Sequence, residues 1–454
     1  MAMAGIRRIA IGLVLAGLFV PPACGQEAVG PREEDRFRVD AIFQETAPTQ
    51  PPSPPAEDEF SPTVPDPPPS PSPSPAPPEL GPALSVSETS QGHWIASKAD
   101  SAEFPRASKI PGTEIWWKFG GFVKADFIHD FKPAGVRDRW VPTTIPVDGR
   151  DGQNTLMQAK ATRLNLDVRA PSDWGTVRGY VETDFFTDGN QLRIRHAYTE
   201  VGPLLAGQTW TVFTDPNAIP RTLDFESPIA FIVQRQAQFR WTETLSDNLK
   251  WAASIENPTT AVDDNVIFAI PGVPAQPIPD FATHLKYKSE SYEWFVAALF
   301  RDVAYQPDIG PQQDRFGYAF NFIGILYPTK QDKIIGEFVF GDGLGRYRGG
   351  SDLRLGSPTT VDTVQFVGGC FAVTHAWTET LSSTGVYSFA LRRREETDPP
   401  DTSQFSNYVA ANLIWTPIDN TSLGVEYLYG SNEVRNGNFG DSHRIQATVQ
   451  YNLP

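Results

Sequence analysis

The chain has 454 residues, 40% of them hydrophobic and 20% charged, and its 38 Lys and Arg against 54 Asp and Glu leave a net charge of −16. That acidic balance, with no basic block to offset it, repels phosphates and excludes a general nucleic-acid binder. With 42 Pro, 36 Gly, 29 Phe, 13 Tyr and 11 Trp but 3 Met, the composition favours strands and turns over a helical bundle.

Arg7 and Arg8 precede an apolar run from Ile9 to Val20, which at about 18 Å of helix is too short for a bilayer core of about 30 Å. Residues 1–25 read as a signal peptide, with Ala23 and Gly25 as the small residues before a cleavage expected ahead of Gln26. Acylation of Cys24 is the rival reading, against which Pro21 and Pro22 stand where Leu and a small residue are usual. After cleavage Cys370 is the one remaining thiol, so an exported chain gains no internal disulfide. No base adjoins it in Gly368-Gly369-Cys370-Phe371, and it reads as a packed residue. No later stretch reaches the roughly 18 to 20 apolar residues of a membrane helix. A membrane barrel stays open, because its strands need only about 9 to 11 residues with every second one apolar.

Residues 26–112 read as a Pro-rich, disordered periplasmic linker. From Pro48 to Pro82 the sequence is PTQPPSPPAEDEFSPTVPDPPPSPSPSPAPPELGP, too poor in aliphatic residues to form a core. Proline fixes φ and removes donors, so the expectation is polyproline II, a stiff spacer on the order of 100 Å long. Glu33 to Phe43 would form one short helix. A docking role, for instance to cell-wall material, is the alternative to a plain tether.

Residues 113–454 alternate apolar and polar side chains in many short runs. Arg163, Asn165, Asp167 and Arg169 oppose Leu164, Leu166 and Val168. Arg178, Tyr180, Glu182 and Asp184 oppose Val177, Gly179, Val181 and Phe185, and Arg193 and Arg195 oppose Leu192 and Ile194. Gln236, Gln238 and Arg240 then alternate with Ala237, Phe239 and Trp241, and the last run sets Arg444, Gln446, Thr448, Gln450 and Asn452 against Ile445, Ala447, Val449, Tyr451 and Leu453. Period two with two unlike faces means strands between two solvents.

A soluble β-sandwich also alternates, but the connections discriminate. WTETLSDN (Trp241 to Asn248), WTETLSS (Trp377 to Ser383) and WTPIDNT (Trp415 to Thr421) each put a Trp beside a tight polar turn, the placement a membrane–water boundary selects. Long polar connections run from Lys132 to Thr155, Thr214 to Pro228, Asn257 to Pro279, Gly341 to Pro358 and Arg392 to Ser403. Short turns alternating with long loops predict an all-β fold, a transmembrane antiparallel barrel of about sixteen strands with a water-filled lumen.

The selectivity chemistry should then lie on the polar face. Arg163, Asp167, Arg169, Arg178, Glu182, Asp184, Arg193, Arg195 and Arg240 are the expected pore-lining residues. Guanidinium stays charged and offers paired donors to carboxylates, so an Arg ladder would guide anions; mutual neutralisation with the three acids is the competing reading. The connection TDPNAIPRTLDFESP (Thr214 to Pro228), with Arg221, Asp224 and Glu226, is a candidate constriction loop or else an outward surface loop. No metal or cofactor site is expected: the six His are scattered, His196 reads as packed, and Gly341-Asp-Gly-Leu-Gly345 lacks the Lys of a phosphate-binding loop.

GFVKADFIHDF (Gly121 to Phe131), TRLNLDV (Thr162 to Val168), LRIRHAYTEVGPLLAGQTWTVFTDP (Leu192 to Pro216) and HRIQATVQYNL (His443 to Leu453) resemble the DcaP-like outer-membrane porins. The resemblance covers most of the chain beyond Thr113 and is densest between Gly121 and Trp241. It implies a sixteen-stranded homotrimer in outer-membrane lipid that passes small solutes with preference for anions such as dicarboxylates, with Arg163, Arg193 and Arg195 on the inward pattern. Two departures stand out: the Pro-rich segment replaces the heptad-patterned helix common in that family, and the chain closes on Tyr451-Asn-Leu-Pro454 instead of an aromatic residue. The expected activity is passive diffusion, with no catalytic residues. The alternatives are a barrel that merely anchors an adhesive or wall-tethering arm, or a barrel lipid hydrolase, which would need a Ser, His and acid set at the rim.

Overall fold

The computed structural model describes residues 104–453, so the expected signal peptide, the short helix at 33–43 and most of the Pro-rich segment lie outside the described residues. Sixteen antiparallel strands close into a barrel. In chain order they are β1 (Trp116–Asp130), β2 (Asn154–Gln158 continued by Arg163–Ser172), β3 (Gly175–Asp184), β4 (Arg193–Val201), β5 (Leu204–Trp210), β6 (Arg235–Ser246), β7 (Leu249–Glu256), β8 (Gly272–Ala275 continued by Asp280–Lys288), β9 (Tyr292–Pro307), β10 (Gln313–Leu326), β11 (Asp332–Asp342), β12 (Gln365–Ala376), β13 (Leu381–Arg392), β14 (Ser403–Ile418), β15 (Thr421–Val434) and β16 (Phe439–Asn452). Each pairs with its neighbours, and β1 pairs with β16 from Phe122↔Asn452 to Asp130↔Arg444, which removes both sheet edges. A spanning sheet must close, because lipid offers no partner to an unpaired backbone group.

Residue parity decides which face is which. On β16, Arg444, Gln446 and Thr448 are buried, while Ile445, Val449 and Tyr451 are exposed. On β3, Arg178, Tyr180, Glu182 and Asp184 are buried and Val181 is exposed. The polar rows therefore face the lumen and the apolar rows face outward, where lipid supplies the matching solvent. Trp241, Trp377 and Trp415 all point outward at the end of the barrel bearing the short turns, and Trp174, Trp294 and Tyr292 join them there. This end is the periplasmic one in an outer-membrane barrel.

The opposite end carries loops that fold back inside. Loop L4 (257–271) holds the helix Asp264–Ala269, and L6 (343–364) holds a hairpin of Leu353–Ser357 with Thr360–Thr363. They pack on one another through Val266, Ile270, Leu353 and Val361 against Val303 and Tyr305 of β9. Arg301 of β9 ties them down, donating to the Thr259 carbonyl of L4 and to Asp352 of L6, both at 2.6 Å. Loop L3 (211–234) also runs into the lumen, and its Val212, Phe213, Ala218, Phe231 and Ile232 form an apolar cluster with inward residues of β7 to β15. In that half of the wall Ala252, Ala282, Ala297, Ala319, Ala372 and Ala410 alternate with larger apolar residues such as Phe295, Leu299 and Ile335, and the alanines leave room for the loop. The lumen is therefore polar on one side and apolar where L3 lies, a division that period-two reading alone does not contain. Cys370 belongs to the apolar side and is buried.

The outward rows set a test of the lipid-facing assignment. Ile445→Arg, near mid-strand on the outer face of β16, should lower stability by about 2–4 kcal/mol, the cost of a cation at the bilayer midplane, in urea unfolding from lipid vesicles.

Candidate functional site

The functional space is what L3 leaves open inside the barrel, against the wall on one side and against loops L1 (131–153) and L6 on the other. L3 is held across the lumen mainly through its backbone. Glu426 of β15 accepts from Leu223 N and Asp224 N, both at 2.9 Å, and from Asn412 Nδ2 at 2.8 Å. Lys124 Nζ and Gln446 Nε2 donate to the Leu223 carbonyl at 2.6 and 2.9 Å, and Asn412 Nδ2 donates to the Arg221 carbonyl at 2.8 Å. A buried backbone group costs free energy unless it is paired, so these wall residues fix the path of the loop.

The sequence-predicted charges of L3 go to three places. Arg221 reaches Ser382 Oγ on β13 at 3.1 Å. Asp224 is buried and accepts from Trp140 N at 2.9 Å, docking loop L1 onto L3. Burial pushes the Asp224 carboxyl well above the ordinary aspartate range, with Arg444 pulling the other way. Glu226 lies 3.4 Å from Arg139 of L1.

The sequence-predicted Arg and acid residues of β2 to β6 share one inner surface as two groups of ion pairs, one around Asp167 and Glu200 and one around Glu182 and Asp184. Asp167 meets Arg169 at 3.1 Å and Arg178 at 2.9 Å, and Arg178 meets Glu200 at 3.3 Å. Arg195 bridges Glu182 and Asp184, each at 2.8 Å, and Arg193 meets Asp184 at 2.7 Å. Arg163 stands 3.8 Å from Glu182, and Arg240 stands 3.6 Å from Glu200. The pairing with the acids is therefore present, and several of the cations share one acid. A bulge opposite Glu182 and Thr183 places Arg195 and His196 in succession on the inner side. His196 packs there beside Thr209, at 3.0 Å, and the Trp210 ring.

L3 divides the open space into two chambers. The inner one, about 700 Å³, is lined by Lys118, Lys124, Arg163, Arg169 and Arg221 with Asp167 and Asp224 as its acids. The outer one, about 600 Å³, is lined by Arg139, Arg193, Arg348 and Arg392 with Glu226 and Asp263. Phe225 of L3 borders both chambers. Its ring stacks on Phe186, which follows β3, at 3.5 Å between centroids and 9° between planes. Arg193 and Arg195 lie 5.6 and 6.0 Å from the Phe225 centroid, and Arg139 and Lys160 each lie 5.9 Å from that of Phe186. Sequence reading missed Phe186, Phe225, Arg139, Lys160, Arg348 and Arg392. They sit on or beside loops, where no period marks the inward face. The FESP motif within the L3 candidate was the nearest signal.

No group of three or more His, Cys, Asp or Glu placed to hold a metal occurs among the described residues. Glu426→Leu should free the L3 backbone. The expected result is a loss of about 1–3 kcal/mol, as for unpaired buried groups, with a noisier open-channel current in planar bilayers.

The model of the Porin_2 family, a porin subfamily, matches residues 109–452. No curated protein sequence matches the chain. Among solved structures, the chain is similar to the outer membrane channel DcaP of Acinetobacter baumannii, at 22% identity and a TM-score of 0.68 over 76% of this chain and 99% of that one. It is similar also to OmpT, an outer membrane protein of Vibrio cholerae, at 10% identity and a TM-score of 0.50 over 77% and 100%. The anion-selective porin from Comamonas acidovorans gives 8% identity and a TM-score of 0.50 over 75% and 100%. At these identities the likeness concerns the fold.

Proposed function

The chain belongs to the Porin_2 family and is an outer-membrane porin channel, not an enzyme; on that premise we propose that it passes small hydrophilic solutes by diffusion and prefers anions. One observation carries the preference. The whole chain has a net charge of −16, yet five basic residues against two acidic line the inner chamber, and four against two line the outer one. The lining charge of both chambers is opposite in sign to that of the chain. In a narrow lumen with low-dielectric walls such an excess sets the local potential, attracts anions and repels cations.

The path runs from the outer chamber past Phe225 and Arg193 to Arg163 and Lys118. Paired cations still hydrate and contact a passing carboxylate, because one acid engages only part of a guanidinium's five donors. Arg163, Arg193, Arg221 and Arg139 are the residues to which we assign solute contact. Arg195, Arg178 and Arg240, deeper in the ion pairs with Glu182, Asp184 and Glu200, fix the ladder's geometry. The segment 211–234, crossing the lumen, sets the narrowest section. Dicarboxylates fit this reading, since two charged ends could engage cations on both sides of the Phe225 ring. A homotrimer remains part of the proposal. So does a tethering role for the Pro-rich arm, most of which lies outside the described residues.

Purified protein in planar bilayers tests the preference. Stepwise conductance with an anion-selective reversal potential is expected, and cation selectivity would overturn the proposal. The double substitution Arg139→Gln with Arg193→Gln should lower the anion-to-cation permeability ratio at low salt. Raising salt from 0.1 M to 1 M shortens the screening length from about 10 Å to about 3 Å and should reduce the selectivity of the parent channel.

A further inference from the structure

The chain does not enter β1 directly from the outside. Ser108 and Lys109 first pair antiparallel with Trp117 and Trp116, and a turn closes between them through Ile110 N donating to Ile115 O at 2.9 Å. A second turn follows towards the N-terminus, where Ala107 N donates to Phe104 O at 3.2 Å and Arg106 holds a left-handed φ of 65°. A non-glycine residue in that region is uncommon and persists where its surroundings determine it.

These two turns carry Phe104 into the periplasmic mouth of the pore. The ring is 5% exposed, and the Arg169 guanidinium lies over it at 3.9 Å. Phe104 and Pro105 form part of the wall of the inner chamber, beside Lys118 and Arg169. Arg169 pairs in register with Trp116, at the periplasmic end of β1 and β2. An aromatic face stacked on a guanidinium is held by cation–π attraction while it excludes water from that cation.

We propose that Phe104 is a permeation-limiting residue, forming with Pro105 a second constriction in series with L3 at the periplasmic exit and covering one face of the Arg169 guanidinium against passing anions. The proposal rests on the channel reading above and adds an exit control built from residues ahead of the barrel. Two consequences follow. The exit is narrower than the barrel wall alone would make it, and the anion preference of the inner chamber is set partly by an uncharged ring.

The test uses the full-length protein in planar bilayers, compared with Phe104→Ala and Phe104→Cys. Phe104→Ala should raise single-channel conductance by about a quarter or more, since the narrowest sections dominate resistance, and should increase the anion-to-cation permeability ratio as Arg169 becomes accessible. In a Cys24→Ala background, Phe104→Cys treated on both sides with a sulfonate-bearing methanethiosulfonate should lose conductance, whereas the Cys24→Ala parent, with Cys370 buried, should not respond. Conducting variants with unchanged conductance, and a Phe104→Cys channel indifferent to the reagent, would overturn this inference and leave the channel reading intact. A silent parent protein would sink the channel reading and this inference with it.

Discussion

The structure depends on the antiparallel contact between β1 and β16, which turns a sheet of alternating strands into a closed wall. Closure satisfies the backbone of the last strand and the first together, and it makes inside and outside into different solvents. Once that is fixed, a single-residue period sorts the whole chain: Arg444, Gln446 and Thr448 go in, and Ile445, Val449 and Tyr451 go out. A shift of one residue in register would invert every such row.

The second organising element is L3, and it works by asymmetry. Its apolar residues, Phe213, Phe231 and Ile232, seat on the apolar half of the wall, while Glu426, Lys124 and Gln446 take up its backbone polar groups. The remaining half is the ion pairs of β2 to β6, and what is left between them is a passage bordered by Phe225. Charge and geometry are coupled here. The acids Asp167, Glu182, Asp184 and Glu200 hold the guanidinium groups at fixed positions, and the chambers keep a surplus of cations despite the acidity of the chain as a whole.

Much of this was legible in the sequence because period two is a local signal. The runs at Arg163 to Arg169 and Arg178 to Asp184 named the inward residues by parity alone, and the Trp-marked turns fixed which end was which. The strand number followed from counting such runs. What the residues could not reveal is set by contacts across the lumen. The burial of Ala252 and Ala282 under L3, the docking of Trp140 on Asp224, and the stack of Phe225 on Phe186 join segments far apart in the chain. The bulge at Arg195 and His196 likewise breaks strict alternation, so the inward position of His196 had no signature.

The central claim is that water fills the middle of the barrel and lipid bathes its outer rows. Single cysteines placed in turn from Ala447 to Tyr451, in lipid vesicles, test it most directly with a small water-soluble thiol reagent. Thr448 and Gln450, which line the inner chamber, should label readily, and Ala447, Val449 and Tyr451 should stay silent. Uniform labelling along the strand, or reactivity in the opposite phase, would contradict the account.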